Sequence, residues 1–521
     1  MGRFVSRRNQ KRIQFIKMSY KKIALVFAFC SLIIAFFVNE INIDSVRNTG
    51  IPLRENQTVI TIDDDSYLNP FKLFVQTGTI YEGEHDKYSS LVRPPGYGII
   101  YATLAKIFGE EKTLISLKIF QLLIFGLSVY CLFFISLGVV KSQRLAIIST
   151  GIYAILPLSM GFLYYTLTES ITPALVICYV FFLLKASDAE HIKTKRWSYF
   201  FASLLFAYLF LTRPFLGILG IALPCFLFSD FYSREKPASF FKHLVLYGAV
   251  SISFMLIWQI RNYNTIGRFT ELNPIYQNEV PGTFRKTHKA IWYFFKGWEN
   301  IGTNFHGVIV PLYGSSIRGD TADIHIDAVI SKMPAEVVNH FGKEKLVLAF
   351  KDYQQSTVQQ KEYMENHTNM PADLLPTEQK VIETFNGFES EYKKHFWFRY
   401  HVITPLKVFK TMAFHSNLSL YVFQKPLRGN FFMETLRVFC FTIHSLVFIL
   451  CLFFVFFSKN FKHISLFGIA IFIYIFYLIY FQRGIEERYT LPILPLVIIS
   501  AAFVVKEIIL KVIPKLKQLR Q

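Results

Sequence analysis

The sequence predicts an all-α polytopic membrane protein, and three observations support this prediction. Of the 521 residues, 52% are hydrophobic and 17% aromatic, whereas only 18% are charged, below the roughly 25% of an average soluble domain. The 56 phenylalanines concentrate in runs such as CLFFVFFSK. A helix needs roughly 20 apolar residues to cross the bilayer core, and the chain has many stretches near this length. A soluble enzyme, a disordered protein and a disulfide-stapled secreted domain are excluded.

Hydropathy alone predicts about ten membrane spans. The candidate stretches are residues 23–38, 112–139, 145–164, 170–186, 197–212, 214–229, 244–258, 438–457, 464–481 and 490–510. All six cysteines fall inside them, so neither disulfides nor a cysteine metal site is expected. The first span follows a basic stretch and lacks a small-residue cleavage site, which predicts a signal anchor.

The charge distribution predicts the orientation of the chain. If residues 1–22 are cytoplasmic, the segments on that side carry 24 Lys and Arg against 5 Asp and Glu, which accounts for 19 of the formal net charge of +20. This asymmetry follows the positive-inside rule. The excess of basic residues therefore reflects the orientation of the chain in the membrane, and we expect no nucleic acid partner.

Two large loops are predicted on the outer face, residues 39–111 and 259–437. The first contains a short apolar segment, 94–108, begun by Pro94-Pro95, and the second ends in another, 396–415. Both suit helices at the membrane interface, or partial spans that would raise the count above ten. The expected organisation is an N-terminal membrane module at 1–258, an outer loop and small subdomain at 259–437, and C-terminal spans at 438–521.

Unusual polar residues gather at the outer ends of the predicted spans, whereas the middle of the membrane is nearly free of charge. Such residues are costly beside a membrane and often mark functional sites. They include Asp63, Asp64, Asp65, Arg93, Lys118, Glu169, Arg213, Arg261, Tyr263, Glu486 and Arg488. We expect them to converge on one outer face.

This combination suits group transfer from a lipid-linked phosphate. A carboxylate serves as general base toward an acceptor hydroxyl, and arginines hold a phosphate leaving group and stabilise its developing charge. Simpler interpretations remain open for each residue alone: a solvated loop at Asp63–Asp65, a helix cap at Glu169, or an interface anchor at Arg488. A divalent cation at Asp63, Asp64 and Asp65 is a further alternative; no other cofactor or metal site is expected.

Several motifs resemble the bacterial GT-C glycosyltransferases, the group that includes protein O-mannosyltransferases and the lipid A aminoarabinose transferase. They are DDDSYLN, RPPGYGIIYATLAKIFG, TES, LTRP, WQIRNYNTIGRF and ERYTLPILPL, in matching order along nearly the whole chain. One departure is RPPG, where aminoarabinose transferases have a lysine before paired prolines followed by leucine. The insert at about 270–380 resembles nothing in the group.

The resemblance implies a GT-C fold and a membrane glycosyltransferase with a polyprenyl-phosphate sugar as donor. It implies a catalytic aspartate four residues before a tyrosine, here Asp63 before Tyr67, with Asp64 as the neighbouring alternative. It also implies donor phosphate or sugar contacts for Arg93, Lys118, Glu169, Arg261, Tyr263 and Arg488.

We therefore predict an inverting hexosyl- or pentosyltransferase in a bacterial plasma membrane, with both termini cytoplasmic and the site on the outer face. Its acceptor would be a lipid-linked glycan, an envelope polysaccharide or a protein. A transporter or flippase of lipid-linked sugars is the main alternative, although it should carry midplane charges or internal repeats, which the sequence lacks. A polymerase or ligase of lipid-linked glycans shares the outer site and remains open.

Overall fold

The protein, described from a computed structural model, is built from helices. The structure describes residues 2–47, 63–83, 87, 91, 93–232, 237–267, 269–272, 279–298, 304–415, 429–458, 462–484 and 486–512. No strand occurs in these ranges, and the predicted all-α polytopic fold is confirmed. Residues 48–62 of the first outer loop and 416–428 of the second lie outside the described part of the chain.

The N-terminal part packs its helices along one another because nearly all their faces are apolar. Neighbouring α7 and α8 make the most extensive contact, and α4 packs against α1 and α7. The helices are α1 (Gly2–Arg47), α2 (Asp64–Thr77), α3 (Gly96–Phe108), α4 (Thr113–Val140), α5 (Gln143–Ile155), α6 (Pro157–Met160), α7 (Thr172–Asp188), α8 (Ile192–Thr212), α9 (Ala222–Leu227) and α10 (Pro237–Ile266).

The part of the chain predicted to lie on the outer face, residues 259–437 and called the outer subdomain below, contains eight helices within its described residues. Those up to α17 surround an aromatic core of their own, in which Phe294, Phe341, Phe385 and Phe388 are buried against one another. The helices are α11 (Lys286–Phe295), α12 (Asn304–Ile317), α13 (Asp323–Lys332), α14 (Ala335–Phe341), α15 (Lys343–Val358), α16 (Gln360–Glu365), α17 (Pro376–His395) and α18 (Thr404–Ala413).

The C-terminal part returns to the membrane core, where α22 packs against α19, α4 and α5. Its helices are α19 (Phe431–Leu452), α20 (Phe454–Ser458), α21 (Lys462–Phe476) and α22 (Leu494–Glu507). A π-helical turn, Tyr477–Gln482, continues α21, and a 3-10 turn, Glu487–Thr490, precedes α22.

Six helical stretches of the described chain are long and apolar enough to cross a membrane alone. They are Ser19–Asp44, Glu110–Val140, Pro214–Tyr232, Pro237–Ile266, Phe431–Leu452 and Ile464–Gln482, and each contains or overlaps a predicted span. The other four predicted spans fall on helices that are shorter, interrupted or charged at one end.

One predicted span, 145–164, is wrong as a continuous helix. Helix α5 ends at Ile155, α6 occupies only Pro157–Met160, and turns follow. Pro157 has no backbone N–H and disfavours helical geometry in the residue before it, so the helix breaks at Leu156. The turns after α6 place Thr166, Thr168 and Glu169 directly before the start of α7.

Candidate active site

Three carboxylates and three arginines from distant parts of the chain meet at the ends of helices. We call these residues the six-charge cluster; its members are Asp63, Glu169, Glu486, Arg93, Arg213 and Arg488. Each stands just before or just after a helix, where the backbone leaves the apolar packing of the bundle. The predicted convergence of dispersed polar residues is therefore found for these six.

Asp63 lies at the accessible side of the cluster, directly before α2. Its Oδ1 accepts a hydrogen bond from Arg93 Nη2 at 2.6 Å, and its Oδ2 accepts one from Arg488 Nη2 at 3.0 Å. Arg93 also donates from Nε to Ser66 Oγ at 2.8 Å and lies over the Tyr67 ring. Charge-assisted bonds of this kind fix both partners, so the carboxylate is oriented although its side chain is 32% exposed.

Glu169 forms the buried floor of the cluster. Its Oε1 lies 2.7 Å from Arg213 Nη1 and 3.4 Å from Arg488 Nε, and its side chain is only 3% exposed. Burial raises the pKa of this carboxyl, but the positive charges of Arg213 and Arg488 outweigh burial and lower the pKa to about 2. Glu169 is therefore an anion at physiological pH and serves to hold two arginines.

Asp64 has a different environment from its neighbour. It is fully buried, and its Oδ2 accepts a hydrogen bond from Thr166 Oγ1 at 2.7 Å. That bond ties the start of α2 to the loop before Glu169. Of the two aspartates that the sequence left as alternatives, Asp63 forms ion pairs with Arg93 and Arg488 of the cluster.

Lys118 lies on α4 and makes a separate pair. Its Nζ lies 3.5 Å from Glu40 Oε1 and 4.4 Å from the centre of the Tyr164 ring. The described contacts of Lys118 are therefore with Glu40 and Tyr164 and not with the six-charge cluster. Tyr164 stands two residues before Thr166, the partner of Asp64.

Arg261 and Tyr263 at the end of α10 are not brought into contact with the cluster, so the expected convergence does not extend to them. Arg261 lies over the Trp258 ring and lines a cavity of about 540 Å³ between α2, α3 and α10. Tyr263 is exposed and stacks on Phe269. The reason is the position of α10, which is among the least buried of the candidate spans.

Arg213 belongs to the cluster but was not among the predicted donor contacts. A signal for it exists in the sequence, since Arg213-Pro214 repeats the Arg93-Pro94 pattern at a helix boundary. Thr166, which holds Asp64, and Ser66, which holds Arg93, carry no such signal. Their roles depend on tertiary packing.

The structure gives no support to the cation alternative. Within the described ranges, no group of three or more His, Cys, Asp or Glu side chains is arranged to hold a metal ion. The oxygens of Asp63 face arginines, whereas Asp64 points toward Thr166.

Comparison with known proteins points to the same group as the motifs. Residues 92–258 match the family model described as dolichyl-phosphate-mannose-protein mannosyltransferase. This match confirms the predicted resemblance to the GT-C membrane glycosyltransferases. It contains Arg93, Glu169 and Arg213 of the cluster.

Two solved structures also align with the chain at low similarity. ArnT from Cupriavidus metallidurans in the apo state has 12% identity and a TM-score of 0.34, over 92% of this chain and 76% of that one. The same protein bound to undecaprenyl phosphate has 10% identity and a TM-score of 0.35, over 92% and 77%. No curated protein sequence matches significantly.

Proposed function

We propose that this protein transfers a sugar from a polyprenyl-phosphate donor to an acceptor hydroxyl, with Asp63 as the general base. One observation carries the proposal: a partly exposed carboxylate is held between Arg93 and Arg488, at a point where helix ends meet. A base needs access to the acceptor proton, and a phosphate leaving group needs cations beside it. Asp63 and its two partners supply both within a few ångströms.

The reaction is a single displacement at the anomeric carbon. Asp63 accepts the proton of the acceptor hydroxyl while the acceptor oxygen forms its bond to that carbon. The bond between the anomeric carbon and the phosphate oxygen breaks, and its electron pair leaves with the polyprenyl phosphate. Arg93 and Arg488 stabilise the charge that develops on that oxygen. One displacement inverts the anomeric configuration, and Asp63 then releases its proton to water.

The charge balance of the cluster suggests how the donor enters. Three carboxylates already face three arginines, so an incoming phosphate must take an arginine from a carboxylate. Glu169 and Arg213 are nearly enclosed, whereas Glu486 is 45% exposed and Asp63 32%. The phosphate is therefore expected to take an arginine from Glu486 or from Asp63. A phosphate bound by Arg93 and Arg488 would release the Asp63 oxygens toward the acceptor.

The membrane setting agrees with this chemistry. Orientation by the positive-inside rule puts the cluster on the outer face of a bacterial plasma membrane, with both termini in the cytoplasm. A phosphate at headgroup depth with its tail in lipid reaches such a site directly. We propose the N-terminal module, residues 1–258, as the main catalytic part and an envelope glycan, lipid-linked glycan or protein as the acceptor.

The test is sugar transfer by the purified full-length protein. Radiolabelled polyprenyl-phosphate sugars are supplied with envelope extract, and wild type is compared with Asp63→Asn. We expect loss of at least about 100-fold in rate, the range typical of removing a general base. Asp323→Asn, an exposed aspartate of the outer subdomain that pairs with Lys351, is the matched control and should keep full activity.

Equal transfer by Asp63→Asn and wild type would remove Asp63 from this role. Asp64→Asn separates the two neighbouring aspartates. Because Asp64 is buried and bonded to Thr166, its change should lower the thermal stability of the protein, whereas Asp63→Asn should leave folding intact and abolish transfer.

A further inference from the structure

A second polar pocket, separate from the six-charge cluster, lies where the outer subdomain meets the end of α21. We call it the basic-aromatic pocket. It has a volume of about 440 Å³ and draws residues from α11, α17, the π turn after α17 and the π turn after α21. The residues that matter are Tyr293, Lys296, Lys393, Tyr400, His401 and Tyr480.

Positive charge exceeds negative charge in this pocket. Lys296 lies over the Tyr293 ring at 3.9 Å from its centre, and its Nζ lies 3.4 Å from the carbonyl oxygen of Phe481. Lys393 pairs with Glu389 at 2.7 Å. Glu389 is the one carboxylate among the described residues that line the pocket.

Arg483 adds a third cation behind the lining. It is fully buried, and its guanidinium donates to the backbone carbonyls of Lys296, Tyr400 and Tyr480. Carbonyl groups satisfy these donors but carry no net charge, so the positive charge of Arg483 persists beneath the pocket. Three cations therefore face one carboxylate.

The charge on Lys296 is costly in this pocket. Burial lowers the pKa of its ammonium group, and the charges of Arg483, Lys393 and Lys289 lower it further against the attraction of Glu389, to about 8. A bound anion would relieve this repulsion. The electrostatics of the pocket thus favour a negatively charged ligand.

The walls indicate what else the ligand carries. Tyr293, Tyr400, His401 and Tyr480 line the pocket with aromatic rings, and His401 Nδ1 is hydrogen-bonded to the Tyr480 hydroxyl at 2.5 Å. Flat rings with hydroxyl and imidazole edges offer both apolar contact and polar partners. This combination suits a sugar ring, which has C–H faces and hydroxyl edges, better than a flexible acyl chain.

We propose that the basic-aromatic pocket binds a carbohydrate that carries a phosphate or carboxylate group. The pocket is linked to the six-charge cluster by the short stretch from Arg483 to Arg488, and Trp292 packs closely against Gly484 in that stretch. That the bound carbohydrate is part of the acceptor rests on the proposed function. Binding itself does not, since it needs neither Asp63 nor a donor.

Binding is measured on the full-length protein in phosphatidylcholine nanodiscs, which contain no sugar detergent, by saturation-transfer NMR. The probes are glucose 6-phosphate, glucuronic acid, glucose and inorganic phosphate. We expect an anionic sugar to bind at least about tenfold more tightly than glucose, because charge-assisted bonds are the strong ones. Inorganic phosphate alone should bind more weakly than glucose 6-phosphate.

Variants assign the binding to the pocket. Lys296→Gln and the more exposed Lys393→Gln should each weaken the binding of glucose 6-phosphate by about fivefold or more. Lys343→Gln, an exposed lysine of the same subdomain that pairs with Asp327, should bind like wild type. Affinity should also fall as the pH rises through about 8, where Lys296 loses its proton.

The outcomes separate this proposal from the transfer reaction. Asp63→Asn should bind glucose 6-phosphate normally, so an inactive enzyme with intact binding would leave this proposal standing. Equal affinity for glucose and glucose 6-phosphate would overturn it, as would unchanged binding in both pocket variants. Loss of glucose 6-phosphate binding in nanodiscs that also contain phosphatidylglycerol would assign the pocket to a lipid headgroup and also overturn it.

Discussion

Asp63 and Arg488 stand 425 residues apart in the chain, yet their side chains form an ion pair of 3.0 Å. The contact joins the start of α2 to the turn before α22, and therefore the first outer loop to the last span. Arg488 at the same time lies 2.7 Å from Glu486 and 3.4 Å from Glu169. One guanidinium thus organises all three carboxylates of the cluster.

Replacing Arg488 should impair transfer more than folding. Arg488→Gln removes a cation from the place where we propose that phosphate charge develops, and we expect kcat/KM for the donor to fall about 100- to 1000-fold. Arg488→Lys should recover only part of this activity, since one ammonium cannot reproduce the fork of a guanidinium. The measurement is initial-rate kinetics with a polyprenyl-phosphate sugar, and activity near that of wild type in Arg488→Gln would contradict the assignment.

The two glutamates that face Arg488 should respond in opposite ways. Glu169→Gln leaves Arg213 and Arg488 without their buried counter-charge, so it should lower both stability and transfer. Glu486→Gln instead frees Arg488 from an exposed carboxylate, so the KM for the donor should stay the same or fall. Donor KM values and melting temperatures of the two variants test this contrast. A similar loss in both would show that the exposure of Glu486 does not determine where the phosphate enters.

The membrane fold was predictable because it depends on composition, whereas contacts within the site were only partly so. Runs of Phe, Leu and Ile identify spans by length alone, and charges at their ends predict the convergence that is found for Asp63, Arg93, Glu169 and Arg488. Sequence does not reveal the rotation of each helix about its axis. Arg261 was therefore expected in the cluster but faces the cavity beside Trp258.

Other features of the fold were not predicted for the same reason, since they depend on tertiary packing. Arg483 follows the predicted span 464–481 by two residues, but its three carbonyl partners come from segments that pack together only in the folded chain. Hydropathy predicts one continuous span at 145–164, because the apolar residues around Leu156-Pro157 mask the effect of the proline. The broken helix that results is what brings Glu169 to the site.

Close packing of α3 against α8 should make Gly96 intolerant of a side chain. A Cβ at Gly96 would lie 2.4 Å from Thr212 Oγ1 and 2.7 Å from the Thr212 backbone, which cannot rotate away. Gly96→Ala should therefore destabilise the protein by about 1–3 kcal/mol, the usual range of overpacking. It should also reduce transfer, because Arg93 and Arg213 flank this contact.

The matched control for this prediction is Gly138→Ala, in the last turn of α4. Nothing lies within 4 Å of a Cβ placed there, so alanine should be neutral or stabilise the helix by up to about 1 kcal/mol. Melting temperatures in one detergent compare the two variants. If Gly96→Ala melts no lower than Gly138→Ala, the two helices are not in the close contact described.

The outer subdomain should depend on one buried ion pair. Arg285 donates from Nε and Nη2, one edge of its guanidinium, to the two carboxylate oxygens of Glu378, and neither side chain is exposed. Removing one partner leaves an uncompensated buried charge, so Arg285→Met or Glu378→Leu should each cost about 3–5 kcal/mol. The double variant should recover much of this loss. A double variant less stable than either single change would contradict the charge argument.

Acid should destabilise the outer subdomain through His288. Its imidazole is buried, stacks on Phe284 and is hydrogen-bonded to the Tyr353 hydroxyl at 2.9 Å. Burial lowers the pKa of His288 to about 3, with a further contribution from the charge of neighbouring His306. In the unfolded chain the pKa returns to about 6.5.

The direction of the pH effect follows from these two values. Between pH 6.5 and about 3 the unfolded chain binds a proton at His288 that the folded chain excludes, so the free energy of unfolding falls as the pH is lowered. From pH 6.5 to 5 the loss is about 2 kcal/mol for this one group. Glu169, with a pKa of about 2, acts only at lower pH, below the ordinary pKa of a glutamate.

Thermal unfolding followed by tryptophan fluorescence between pH 5 and 7.5 tests this prediction. His288→Gln keeps a polar partner for Tyr353 but cannot titrate, so its stability should change less with pH than that of wild type. His325→Gln, which alters a more exposed histidine of the same subdomain paired with Asp320, should keep the wild-type slope. If His288→Gln and wild type lose stability equally between pH 6.5 and 5, another buried group is responsible for the acid sensitivity of the subdomain.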